Sequence, residues 1–126
     1  MKVLKVILLL FVTNLYSQDI LLLKDRAKII DKILKERIDN ILPKIMKKED
    51  VDMWVLIARE YNEDPIIKTF LPSTWLNARR RTILVISNNE NNEFETVSIS
   101  RYDFGNIFKS IWNKEKVPNQ WEALSN

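Results

Sequence analysis

The sequence predicts an α/β fold in one domain. Three observations lead there. Apolar residues recur at helical spacing between Lys24 and Lys48. Two short, continuous apolar runs follow at Met53–Ala58 and Thr82–Ser87, the length of buried strands. A third stretch, Thr96 to Ser100, alternates apolar Val97 and Ile99 with polar neighbours, the period of a half-exposed strand. The chain has 126 residues, of which 46% are apolar and 29% charged. That is enough for one globular core and too apolar for a disordered chain.

The first element lies before the fold. Lys2 and Lys5 precede an apolar core from Val6 to Val12, and small Ser17 stands before Gln18. This is the pattern of a secretory signal peptide over residues 1–17, with cleavage near Gln18 and residues 18–126 as the mature domain. The apolar core falls well short of the roughly 20 residues a membrane span needs. The rival reading is an uncleaved anchor continuing through Ile20–Leu23. Asn14, Ser17, Gln18 and Asp19 interrupt that span and favour cleavage, and therefore an exported protein, periplasmic or secreted.

The predicted helix follows. Ile29, Ile30, Ile33, Leu34, Ile38, Ile41, Leu42, Ile45 and Met46 step by threes and fours onto one face. Lysines and acids fill the other, with Asp31 and Lys35 placed as an i,i+4 pair. That face reads as solvated, a membrane-surface helix being the rival. Pro43 lacks an amide hydrogen and crowds the carbonyl of Asp39, so a kink or restart is expected there. After the strand at Met53–Ala58, Pro65 and Pro72 bracket a turn or two of helix. Asn88–Glu93 is a turn by composition, which returns the Val97 strand antiparallel beside Thr82–Ser87. Ile107, Phe108, Ile111 and Trp112 suggest a short helix. Asn119 is placed to cap a last one carrying Trp121 and Leu124.

Composition excludes several chemistries. Histidine and cysteine are both absent. That removes the commonest general base, the usual zinc sites, disulfides and cysteine nucleophiles. The overall charge is +3, but Lys2 and Lys5 supply two of the 20 basic residues. Residues 18–126 carry 18 basic against 17 acidic residues, a net +1. That is no footprint for nucleic acid.

Three clusters remain as candidates. Glu60, Glu63 and Asp64 follow the first strand. Carboxylates so grouped can hold a hard cation or trade protons, but nothing completes such a site, and a salt-bridged or solvated loop is preferred. Arg79, Arg80 and Arg81 precede the second strand, where Arg79 and Arg81 share one side. A network with the acids of the first loop is preferred there to a ligand clamp. Trp54 and Trp112 read as core. Trp75, in a polar loop near the arginines, suits packing and an interface or substrate contact equally.

"VDMWVLIAREYNEDP", "LPSTWLNARRRTILVI" and "RYDFGNIFKSIW" together resemble the N-terminal domain of exported Xaa-Pro aminopeptidase-like proteins. These belong to the creatinase, prolidase and aminopeptidase P family of metallopeptidases. The resemblance covers roughly residues 24–126. It implies a mixed β-sheet flanked by helices, of the creatinase/prolidase N-terminal type. It implies a role in subunit association and in walling the cleft for proline-containing peptides, with Tyr61, Trp75 and Arg79 as contacts. It also implies a homodimer in full-length relatives and a partner C-terminal catalytic domain, of which this chain is the truncated N-terminal part. The family's dinuclear metal site, of two Asp, one His and two Glu, would lie in that domain. With no histidine, it maps onto no position here, so no metal, cofactor or catalytic residue is expected in this chain. The alternative is a free-standing exported binding module.

Overall fold

The computed structural model describes residues 20–88 and 93–126. The predicted signal peptide, and most of the predicted turn at Asn88–Glu93, lie outside them. Helix α1 spans Leu23–Glu36, a π-helical turn covers Arg37–Ile41, and α2 spans Leu42–Lys48. The wide turn sits where Pro43 predicts a break. The missing amide leaves Asp39's carbonyl without its normal partner, and the Leu42 amide reaches back five residues to the Arg37 carbonyl. Helical structure runs without a gap from Leu23 to Lys48.

Only part of the predicted apolar face is buried. Leu34, Ile38, Leu42 and Met46, spaced by fours, enter the core. Ile29, Ile30, Ile33, Ile41 and Ile45 remain 44–52% exposed. A sheet contacts one narrow stripe of a helix, and nine apolar positions are more than that stripe holds. The predicted Asp31–Lys35 pair is replaced as well. Lys35 pairs with Asp39, which frees Asp31 to accept the Ser73 amide and hydroxyl, each at 2.8 Å.

The sheet contains β1 (Met53–Arg59), β2 (Arg81–Asn88), β3 (Phe94–Ser98) and β4 (Lys109–Ser110), in that order across it. The first two pairings are antiparallel and the third parallel, so the sheet is mixed, as the α/β expectation requires. Strand β2 is buried on both sides, as its apolar run predicts. Leu84 and Ile86 face α1 and α2 together with Leu56 and Ala58. Ile83 and Val85 face the other way, with Ile99 and half-buried Val55.

Two expectations need correction. Strand β1 is not fully buried. It is an edge strand, and Met53 and Ile57 are 57% and 45% exposed. The second sheet face is covered by a short helix, α4 (Gln120–Ser125), whose Ala123 and Leu124 pack with the Ile83–Val85–Ile99 cluster. Six residues cannot also cover Ile57. The predicted helix through Ile107–Trp112 is absent too. The Phe104 amide donates to the Phe108 carbonyl at 2.9 Å, and the Phe108 amide returns the bond at 3.3 Å. Gly105, the chain's one glycine, turns between them at φ +59, and a Cβ there would sit 3.4 Å from Pro72. Glycine adopts that positive φ without the strain a Cβ would bring. Strand β4 then pairs with β3. The helical spacing of Ile107, Phe108, Ile111 and Trp112 is coincidental, since Ile111 points into solvent.

Candidate functional site

Three loops meet at the end of the sheet where β1 finishes and β2 begins. The last rung pairs Arg59 with Arg81. One further bond runs from the Glu60 amide to the Arg80 carbonyl at 2.6 Å, and the Arg80 amide returns to Glu60 Oε2 at 3.2 Å. Tyr61 and Arg80 both adopt positive φ, 66° and 52°, a conformation uncommon for residues with a Cβ. It lets both chains leave the ladder sharply.

The excursion from β1 to β2 is tied down from below. Asp64 caps the short helix α3 (Pro65–Lys68), accepting the Ile66 amide at 2.7 Å. Ile67, Phe70 and Leu71 anchor it in the core, and Trp54 meets the Phe70 ring edge-on, centroids 5.5 Å apart. The Arg37 guanidinium donates to the Thr69 carbonyl, and Asp31 holds Ser73. Trp75 is thereby delivered onto Phe104, with ring centroids 4.2 Å apart. Packing and exposure are both true of Trp75: one part of the ring joins the core and the rest lines a cleft.

That cleft has a volume of about 400 Å³. Trp75, Phe104 and Trp112 supply its apolar surface. Arg79, Arg80 and Arg81 form one wall, Arg101 and Tyr102 another, and Glu60 is the single carboxylate. The Arg79 guanidinium lies over the Trp75 ring, 4.9 Å from its centroid, and Arg81 lies over Trp121 at 4.6 Å. Such stacking favours the cation and leaves the in-plane N–H groups free. Gln120, nearly buried, closes the end by donating to the carbonyls of Arg81 and Ile99.

The expected network between the arginines and the first-loop acids does not form. No ion pair among the described residues joins Arg79 or Arg81 to Glu60, Glu63 or Asp64. Each acid has its own partner: Glu60 the Arg80 amide, Glu63 the Lys68 ammonium at 3.7 Å, and Asp64 the α3 amide. Among the described residues, no three acidic side chains are grouped to hold a metal ion.

Of the sequence candidates, Trp75 and Arg79 come together in the cleft. Tyr61 does not join them. It is 94% exposed and lies in an adjoining groove with Arg59, Glu60 and Arg80. Arg101, Tyr102 and Gln120 escaped sequence reasoning. They lie far in sequence from Trp75 and Arg79, and the pairing of β2 with β3 and the seating of α4 carry them there.

Asp103 holds the second wall in place. The Ser110 amide donates to its Oδ1 at 2.7 Å and Lys109 Nζ lies 3.2 Å from Oδ2. The amide first, and the lysine second, hold its carboxyl below its ordinary value of 3.8. A depressed folded-state pKa stabilises the fold above the unfolded value, and that contribution disappears as pH falls through the folded one. Asp103→Asn is therefore expected to flatten the acid limb of stability as pH falls below the ordinary carboxylate range of about 4. Thermal unfolding across that range checks it, and an unchanged acid limb rejects it.

Comparisons with family models, curated proteins and solved structures found no match for this chain. No described helix is long and apolar enough to cross a membrane.

Proposed function

We propose that this chain is a non-catalytic recognition domain of the creatinase, prolidase and Xaa-Pro aminopeptidase kind, exported through its amino-terminal segment. Its Trp75–Arg79 cleft walls a peptide site and receives a partner subunit or catalytic domain. One observation carries the reading. The three motifs behind the resemblance, distant in sequence, bring Glu60, Trp75, Arg79 and Arg101 to one end of one sheet.

The lining chemistry suits holding a ligand more than transforming one. Guanidinium groups stay charged and do not exchange protons near neutral pH. Indole and phenol rings offer flat apolar area with polar tips. The one lining carboxylate is engaged by the Arg80 amide. The family's metal pair does not fit here. It requires histidine, which the sequence lacks, and the acids at 60, 63 and 64 are each engaged separately. In this reading the metals belong to a separate catalytic domain, where they would supply the attacking hydroxide.

Titrating the full chain with a proline-containing tripeptide tests the proposal. The Trp75 indole N–H signal is expected to shift in NMR spectra, and the peptide to remain intact with manganese, cobalt or zinc present. Metal-dependent turnover that survives repurification and falls in Glu60→Gln or Asp64→Asn would put the active site in this loop and overturn the reading. Absence of any peptide-induced shift would remove its recognition role.

A further inference from the structure

We infer that the arginine cleft is a docking site for an acidic peptide segment, engaging at least two side-chain carboxylates of its ligand. This rests on the reading of the cleft as a peptide contact and adds the class of peptide.

The first ground is a mismatch in charge. Ion pairs among the described residues are made by lysines: Lys28, Lys35, Lys48, Lys68 and Lys109. Arg79, Arg80, Arg81 and Arg101 line one cleft and no guanidinium among them has a carboxylate partner among the described residues, Glu60 being bonded by the Arg80 backbone amide. Residues 18–126 carry a net +1 as a whole, and without the four cleft arginines and Glu60 the remainder carries a net −2, so the excess of positive charge lies at this cleft. Four guanidiniums against one carboxylate leave the cleft a net +3, and its cations repel one another. An anion entering there is attracted across the roughly 10 Å over which charges act in dilute salt.

The second ground is geometry. Arg79 is laid on Trp75 and Arg81 on Trp121, two separate indoles. Each stack fixes the plane of a guanidinium and leaves its N–H edge for a fork-on-fork bond with a carboxylate. One carboxylate can fill only one such fork in the bidentate manner. Arg101 lines the same cleft from the loop after β3. A lone carboxylate would leave most of this array unpaired. An extended segment bearing acidic side chains at i and i+2 presents two on one side, about 7 Å apart. The apolar floor of Trp75 and Phe104 then receives the residue or backbone between them.

Calorimetric titration of the full chain decides it with four probes. One is acetyl-Gly-Glu-Ala-Glu-Gly-amide. The second is its glutamine counterpart. The third is a neutral proline-containing tripeptide with a free C-terminus, and the fourth inorganic phosphate. The glutamate peptide is expected to bind at least about tenfold more tightly than its glutamine counterpart, and to weaken as salt rises. Arg79→Gln and Arg101→Gln should each weaken it about fivefold or more, with circular dichroism unchanged, since both side chains are exposed. Arg79→Lys, which keeps the charge and loses the fork, should weaken it too. Equal binding of the glutamate and glutamine peptides overturns the inference, and so does equal binding of phosphate. Tight binding of the proline tripeptide alone overturns it while leaving the recognition role standing. No binding by any probe removes both.

Discussion

Phe104→Ala is expected to cost about 3–5 kcal/mol of stability, the usual range for removing a buried phenyl ring. Domains of this kind have about 5–15 kcal/mol in total, so the variant would lose a large part of its folding free energy. Phe104 is 1% exposed and stands among the largest fully buried side chains of the chain. Its ring underlies Trp75, and its backbone closes the turn with Phe108. Truncation leaves a cavity beneath the Trp75 ring, which contacts no other aromatic ring among the described residues. The loss should therefore be accompanied by broadening of the Trp75 indole signal. Phe104→Leu keeps most of the volume and should cost under about 1.5 kcal/mol. Urea unfolding of both variants checks this. A loss below about 1 kcal/mol for Phe104→Ala would mean that the ring does not carry the loop.

Gln120→Leu should cost about 2–4 kcal/mol, although it replaces a polar group by an apolar one of similar size. Its amide nitrogen donates to two backbone carbonyls, Arg81 at the start of β2 and Ile99 just beyond β3. Two acceptors near the end of the sheet then lose their donor, at about 1–3 kcal/mol each when water cannot replace it. The bond to Arg81 also holds α4 against the sheet. Its loss should raise hydrogen exchange across Ile83 and Val85, which Ala123 and Leu124 help to cover. Asn119→Ala provides the scale. It removes only the cap, whose Oδ1 accepts the Trp121 amide at 3.0 Å, and should cost about 1 kcal/mol. If the two variants fall by the same amount, the Gln120 bonds are dispensable and α4 is held by its apolar contacts.

Elements whose cause lies within a few residues are legible along the chain. Asn119 before Gln120 announces a helix start because a side-chain oxygen needs only the next amides to act, and Pro65 marks the edge of another. Pro43 announces a disturbed helical turn because its missing amide removes one defined bond. The apolar run Thr82–Ser87 announces a strand buried on both sides. The similar run Met53–Ala58 does not announce its edge position. An apolar run states that burial is favourable, and the neighbours on each flank decide how much burial occurs. Ile107, Phe108, Ile111 and Trp112 show the same limit. Their spacing satisfies a helix, yet Gly105, the Asp103–Ser110 bond and pairing with β3 impose a turn and a strand.

The candidate site divides in the same way. Residue types alone point to Trp75 and Arg79, since an indole and a guanidinium in a polar loop lack an obvious core position. They also exclude chemistry needing histidine or cysteine, because no fold can supply a side chain the chain does not contain. Which charges meet is decided otherwise. Arg79 and Arg81 stand opposite the acids in a linear reading, but the folded loops place Trp75 and Trp121 under their guanidiniums and turn Glu60 to a backbone amide. Arg101 and Gln120 enter the cleft through the pairing of β2 with β3 and the seating of α4. Periodicity, caps and composition act over one or two turns of chain and can be read along it. Strand register, layer cover and charge pairing join residues tens of positions apart, and their free energy exists only once those residues share a surface.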